Sequence, residues 1–384
     1  MVPTAADPFA LHWSLYPRHF VAPRAPRPLV IDGNIDKPEW KAVPFSQAFD
    51  EIRGPDDAPP GTRPSASCQT RMKLMWDDEY LYVCALIESD FEVTANFTQR
   101  NEPIFQKDSD FEVFLNPSGS CHQYKELELN AINTVWNLML DKPYDDNGHE
   151  HSARIAKPGE PDFYEVYKQQ TATKVMQGKI NDPNSGAAWA VELALAHSDV
   201  LAHDPLGKKP TVGGRWRINF SRVEHQGEIN WTWQAQRIWD PQAQRVTGKV
   251  AMHLPDAWGY VEFADSNASP LGDISNVDPT RRDPAWPARL AVMNIYYAQR
   301  RYAELNDKQY ASDLAALEGL YDPKILQPFL ESSLKEESGI SLALADNKNE
   351  YQFFVTSPNG IKATVTNERL LTVERVGGHA SEMS

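Results

Sequence analysis

The chain has 384 residues, with 38 Lys+Arg against 53 Asp+Glu and a formal net charge of −15. A hydrophobic fraction of 41% supports a packed core and excludes wholesale disorder. The acidic balance, with a pI near 5.1, speaks against nucleic acid and anionic membrane as partners, because both select basic surfaces.

The opening residues lack a basic segment followed by an apolar run, so no signal peptide is visible and the reading is cytoplasmic. A mature secreted form would look the same. No stretch reaches the roughly 18 apolar residues of a membrane span. Cys68, Cys84 and Cys121 have no short spacing, which argues against a disulfide framework or a zinc motif.

Residues 1–28 are Pro-containing and aperiodic, and are expected as an extended lead-in. Leu29 starts a short strand and turn. Lys37–Ala42 then predicts one helical turn, with Asp36 as its cap and Trp40 inward. Residues 54–66 are a loop. Arg71–Trp76 and Tyr80–Ile87, joined by Asp77-Asp78-Glu79, predict a hairpin whose second arm is apolar on both faces. Further strands are predicted at Asp110–Leu115, Tyr124–Ala131, Thr134–Leu140, Phe163–Lys168, Gln170–Val175, Ala188–Leu195, Arg215–Val223, Ile229–Gln234 and Tyr260–Phe263. Short strands at this spacing predict a mainly β antiparallel sandwich over 29–265. A linker is expected over 266–287. From 288 to 376 a small α+β domain follows, with a helix over 290–305, a second short helix over Tyr310–Leu320 and strands at Tyr351–Thr356, Ile361–Val365 and Leu370–Val373. Residues 377–384 are a tail.

Strict alternation in Tyr124–Asn130 puts Glu126, Glu128 and Asn130 opposite Leu127 and Leu129. Glu112 alternates likewise in Phe111–Phe114, and Arg217, Asn219 and Ser221 stand opposite Trp216, Ile218 and Phe220. If these strands are neighbours, one face carries carboxylates, amides and guanidinium groups. Such a face can hydrogen-bond sugar hydroxyls while aromatic rings pack on the pyranose. The same pattern also describes the solvated face of an antiparallel sheet. Paired acids are equally the requirement for glycoside hydrolysis, although acids on one strand rarely flank a bond from opposite sides. Gly148-His-Glu-His151 reads as a solvated turn rather than a metal motif. Asp32, Asp36 and the Asp77 turn offer hard oxygen ligands suited to calcium if they converge, or ordinary turn hydrogen bonds. No phosphate loop, nucleophile elbow or dinucleotide fingerprint is present, and no organic cofactor is expected. Trp231, Trp233, Trp239 and Trp258 cluster towards the end of the sandwich.

With these residues in view, the chain resembles the family 9 carbohydrate-binding modules, within the broader group of DOMON-like jelly rolls. The resembling segments are Ile31–Trp40, Lys73–Val83, Asp108–Pro117, Tyr124–Asn130, Arg215–Glu224 and Met252–Phe263, in order. The resemblance is closest to the branch described only as family 9-like. It implies a β-sandwich, often with structural calcium, that binds a saccharide near a chain end. Motif by motif, Glu112 corresponds to the acid of the Asp-x-x-Glu strand and Asn130 to an asparagine of the next. One platform tryptophan falls near Phe105, the other near Met252–His253, and a sugar-contacting arginine falls at Glu128. Trp40, Trp76 and Trp258 match the family's core pattern, leaving Trp233, with Trp231 and Trp136 behind it, as a platform.

The expected function is therefore non-catalytic saccharide binding through Phe105, Glu112, Glu128, Asn130, Arg222, Trp233 and His253. A carbohydrate-active enzyme using the same acids is the alternative. A structural or interaction module is the third reading, and it requires every carboxylate of the face to be paired with Arg215, Arg217 or Arg222.

Overall fold

The computed structural model describes residues 7–274, 277–332, 339–345 and 349–376. In chain order the strands are β1 (His19–Pro23), β2 (Asp50–Glu51), β3 (Thr70–Trp76), β4 (Tyr80–Glu88), β5 (Asp110–Asn116), β6 (Tyr124–Asn130) and β7 (Val135–Leu140). They continue with β8 (Glu150–His151), β9 (Gln170–Gly178), β10 (Ala187–Ala196), β11 (Arg215–Glu224), β12 (Ile229–Thr232), β13 (Arg237–Asp240), β14 (Arg245–Gly248), β15 (Gly259–Ala264) and β16 (Gly272–Asp273). The chain divides into two units, one of Pro17–Arg237 with Gly248–Val277, the other of Met1–Tyr16, Ile238–Thr247 and Asp278–Ser384.

The first unit is a β-sandwich. Its larger sheet runs β16-β1-β15-β11-β5-β6-β7-β8, with β12 on β11 and β2 on β12, and its smaller sheet runs β3-β4-β10-β9. Pairing is antiparallel except between β1 and β15, which are parallel. Alternation decides what each face meets. Phe111, Val113 and Leu115 of β5 and Leu127 and Leu129 of β6 enter a core shared with Met72, Leu74, Val83, Trp189 and Leu193 of the smaller sheet. The opposite face of the larger sheet is also covered: Ile104, Phe114, Trp136, Leu138 and Trp258 form a second apolar cluster there. Strands β5, β6 and β7 are consequently buried along their whole length. The polar face expected from alternation is therefore no solvated sheet surface.

Local expectations change, among them the short strand from Leu29, which the structure does not form. His19–Pro23, within the stretch read as an extended lead-in, is a buried strand. Pro38–Lys41 is the expected helical turn with Trp40 buried, but Asp36 does not cap it. Phe163–Lys168 is not a strand. Tyr164 and Val166 do alternate inward against Met139, which explains the pattern, but no neighbouring strand pairs with this backbone. The Glu165 carboxylate takes its hydrogen bonds from Arg100, Asn137 and the Val166 N–H instead.

In the second unit, helices α1 (Ala10–Ser14), α4 (Trp286–Leu305) and α5 (Pro323–Ser332) accompany an antiparallel sheet of β17 (Ile340–Leu344), β18 (Tyr351–Thr356), β19 (Ile361–Thr366) and β20 (Leu371–Arg375); α2 (Pro38–Lys41) and α3 (His197–Val200) belong to the sandwich. The α4 helix lies against β18 and β19, and buried Arg369 is positioned over the rings of Tyr296 and Tyr297. Residues 310–320 form turns rather than the expected second helix. The Gln299 side chain both donates to the Ala311 carbonyl and accepts its N–H, spending on a tertiary contact the groups that a helix would use internally. The helix lies further on, at α5, where Pro328 obscured its pattern. The predicted tail lies outside the described residues. No helix among the described residues is long and apolar enough to cross a membrane.

Candidate functional site

The site is built on β5, β6 and β7. Glu112 stands directly opposite Glu128 across the β5–β6 pair, and Glu126 lies two residues along β6 on the same face. One carboxylate oxygen from each lies within 4.8 Å of the others. The three residues are 4%, 5% and 2% exposed for Glu112, Glu126 and Glu128. Among the described residues no lysine or arginine pairs with any of them; the one basic nitrogen in range is His253 Nε2, 3.9 Å from Glu126 Oε2.

Three buried carboxyls this close resist ionising together. Burial pushes Glu112 up to about 7, against a stabilising hydrogen bond from Ser221. Burial, then repulsion from neighbouring acids, raises Glu126 and Glu128 well above the carboxylate range. Asp110, at the start of β5, rises for the same two reasons. The upward shifts favour the protonated form of the cluster, and a protonated carboxyl both donates and accepts. Two buried atoms beside it have no hydrogen-bond partner among the described residues: Glu112 Oε2 and Trp136 Nε1. Trp136 stands opposite Glu128 in the β6–β7 register.

Aromatic side chains surround the acids. Phe105 sits in the turn Ile104–Gln106, whose Phe105 N–H donates to Glu128 Oε2 at 3.3 Å. Phe105 is 37% exposed, and its ring stacks on Trp136 with centroids 5.7 Å apart and 17° between planes. Arg154 lies over the same Trp136 ring at 5.1 Å, its charge paired with Glu150. Tyr144 is 45% exposed and meets His253 edge-on at 4.7 Å. The loop carrying Tyr144 is tightly closed: Gly148 N–H donates to the Pro143 carbonyl at 3.0 Å, and Asp141 accepts the His149 N–H at 2.6 Å. A Cβ on Gly148 would come within 1.8 Å of the Lys142 carbonyl oxygen, so glycine is required there. His253 Nδ1 is 3.0 Å from the Tyr124 hydroxyl, and burial lowers the imidazole pKa to about 4, leaving it neutral at pH 7.

The predicted residues therefore separate. Phe105, Glu112, Glu128 and His253 come together. Asn130 shares their face, but its amide is committed: Nδ2 donates to Asp108 and to the Phe97 carbonyl, and Oδ1 accepts the Thr134 N–H. It positions the loops beside the site. Arg222 and Trp233 do not reach it. Arg222 has the parity of Ile218 and Phe220 and points between the sheets, where it pairs with Glu224 at 2.8 Å and bonds Thr70, the Glu88 carbonyl and Ser89. Trp233 is 0% exposed in the sandwich core, its Nε1 donating to Asp273 at 2.8 Å, so it offers no ring to a ligand. Glu126, seen in the alternation but not chosen, completes the cluster. Trp136 and Tyr144 complete the rim. Tyr144 was missed because its signal, a Pro-Tyr turn just after a strand, is ordinary loop chemistry.

The calcium candidates do not form one group. Asp77 caps its own hairpin, accepting the Glu79 and Tyr80 N–H groups and the Tyr82 hydroxyl. Asp36 is exposed, while Asp32 accepts the Asn34 N–H and pairs with Lys37 at 2.8 Å. The Lys37 ammonium, held also by Glu192 and the Val30 carbonyl, supplies the positive charge in that loop. These residues therefore do not fit a calcium ion.

The three acids crowd one sheet face, one oxygen of each within 4.8 Å of the others, whereas hydrolytic pairs flank the bond they cleave. The third reading also loses its condition, since the three acids lack arginine partners among the described residues.

Residues 31–186 match the family described as carbohydrate family 9 binding domain-like. Among solved structures, the chain is similar to a family 9 carbohydrate binding module from Caldicellulosiruptor kristjanssonii in complex with cellotriose, with 17% identity and a TM-score of 0.38 over 68% of this chain and 100% of that one. The module from the same organism in complex with glucose is 18% identical, with a TM-score of 0.37 and the same coverage. No curated protein matches the chain.

Proposed function

We propose that this family 9-like domain binds a saccharide, without cleaving it, at the acid cluster of β5 and β6. The observation that carries the reading is the family match itself, because residues 31–186 include Phe105, Glu112, Glu126, Glu128, Trp136 and Tyr144. The chemistry agrees with it. Protonated carboxyls and the unpartnered Trp136 N–H can exchange hydrogen bonds with sugar hydroxyls, which both donate and accept. The exposed faces of Phe105 and Tyr144 supply apolar surface for the ring carbons.

Isothermal titration of the full chain against neutral mono- and oligosaccharides tests the proposal. Saturable binding that weakens in Phe105→Ala is expected. Silence across a broad panel, with the protein shown to be folded, overturns it. Turnover of aryl glycosides that disappears in Glu128→Gln would replace binding with hydrolysis.

A further inference from the structure

We infer that Glu112, Glu126, Glu128 and His253 form a binding site for a divalent first-row transition-metal ion. Four observations converge. One carboxylate oxygen from each acid lies within 4.8 Å of the others, a spread that a single ion can bridge at ordinary metal–oxygen lengths of about 2.0–2.4 Å. No lysine or arginine among the described residues pairs with any of the three, although each is more than nine-tenths buried. Glu112 Oε2 is a buried acceptor with no hydrogen-bond partner, on the face where the cluster converges. Beside the three acids stands a nitrogen: His253 Nε2 lies 3.9 Å from Glu126 Oε2 and makes no hydrogen bond among the described residues.

The donor set narrows the ion. Three carboxylates alone would suit magnesium or calcium, and an imidazole shifts the preference to manganese, iron or zinc. The histidine is prepared for this role. In the tautomer whose Nδ1–H donates to the Tyr124 oxygen, 3.0 Å away, Nε2 presents its lone pair on the side of Glu126. Tyr144, edge-on against the same imidazole at 4.7 Å, restricts its rotation. A bound ion would also supply the positive charge that the cluster lacks, as Lys37 does for Glu192 elsewhere in the sandwich. The ion would use the same three acids as the proposed saccharide site, taking the place of their protons, so the experiment is chosen to tell the two ligands apart.

The test uses the full chain stripped with a chelator and then titrated with Mn²⁺ or Zn²⁺, with Ca²⁺ for comparison. Calorimetry should give one ion per chain, with Mn²⁺ or Zn²⁺ preferred over Ca²⁺, and the melting temperature should rise with the ion present. Glu126→Gln and His253→Ala should each weaken uptake by roughly tenfold or more. For a variant that fails to fold, the electron paramagnetic resonance spectrum of bound Mn²⁺ in the wild-type chain decides instead: ordered coordination that includes nitrogen is expected. His149 and His151, which face Asp162 at 3.4 and 3.7 Å, are the competing ligands. Uptake lost in His149→Ala/His151→Ala but kept in Glu126→Gln overturns the assignment, and so does the absence of saturable uptake by folded wild-type protein. Sugar titration of the stripped and loaded forms keeps the two proposals separately testable.

Discussion

The same β-sandwich buries carboxylates in two opposite ways. In β10, Glu192 is fully buried yet surrounded by donors: the Asp32 and Gly33 N–H groups at 2.9 and 3.0 Å, Trp40 Nε1 at 2.8 Å, and the Lys37 ammonium at 2.6 Å. In β5 and β6, Glu112, Glu126 and Glu128 are almost as deeply buried but face one another. Burial alone would lower the Lys37 amine, and Asp32 with Glu192 more than offset it, raising its pKa. Around the three acids no such partner exists among the described residues, and each is pushed up instead. A buried charge with a complete set of partners is architecture. A buried acid cluster without a compensating lysine or arginine is a candidate place for a ligand.

The largest expected effects lie on the compensated side. Glu192→Ala would strand an ammonium, an indole N–H and two backbone N–H groups in the interior, and should cost about 3–5 kcal/mol in urea unfolding. Arg222→Ala, which leaves buried Glu224 unpaired, should cost a similar amount. Stability unchanged within about 1 kcal/mol in either variant would mean that these networks are not the struts they resemble.

The acid cluster should respond to pH with the opposite sign from an ordinary ion pair. Its folded-state pKa values lie above the unfolded value, 4.5 for Glu112 against about 7 in the fold. The unfolded chain then releases protons that the native chain retains. Stability of the chelator-treated protein should therefore be greatest below the unfolded value and fall as pH rises towards 7, by about 1.4 kcal/mol per pH unit for each acid still protonated. Glu126 and Glu128 are raised as well, so they add to the decline. Glu126→Gln should flatten the slope and leave the protein at least as stable at pH 8. Denaturation midpoints across pH 5–8 measure both, and a rising profile would reverse the comparison.

The sandwich was legible in the sequence because its strands carry period-2 alternation between turn residues, and most strand limits shifted by only one or two residues. Alternation also put Glu112, Glu126 and Glu128 on one face. It could not show that this face is covered, because Ile104, Met252 and Trp258 arrive from turns distant in the chain. The errors at Arg222 and Trp233 share a cause. Arg222 points between the sheets to Thr70 and Glu88, and Trp233 packs on Phe220 with its N–H held by Asp273. A charged or amphipathic side chain inside a core is unreadable from period alone, since its partners are set by tertiary register. His253 was found only through the resemblance, as its segment has no periodic pattern.

The smallest effect gives the sharpest contrast between ring as core and ring as platform. Trp233 and Phe105 were both expected to stack on a ligand, but one is fully buried and the other more than a third exposed. Trp233→Ala removes a core side chain and should cost about 3–5 kcal/mol of stability, with any loss of binding following from unfolding. Phe105→Ala gives up one stacked contact with Trp136 and should cost no more than about 1 kcal/mol. Its effect should appear in the ligand titration, as an affinity loss of about tenfold at unchanged stoichiometry, which is about 1.4 kcal/mol. A Phe105→Trp variant should restore or strengthen binding, because a larger ring at the same rim position presents more apolar face. Equal affinity in Phe105→Ala and wild type would remove this ring from the site and leave Tyr144 as the exposed platform beside the acids.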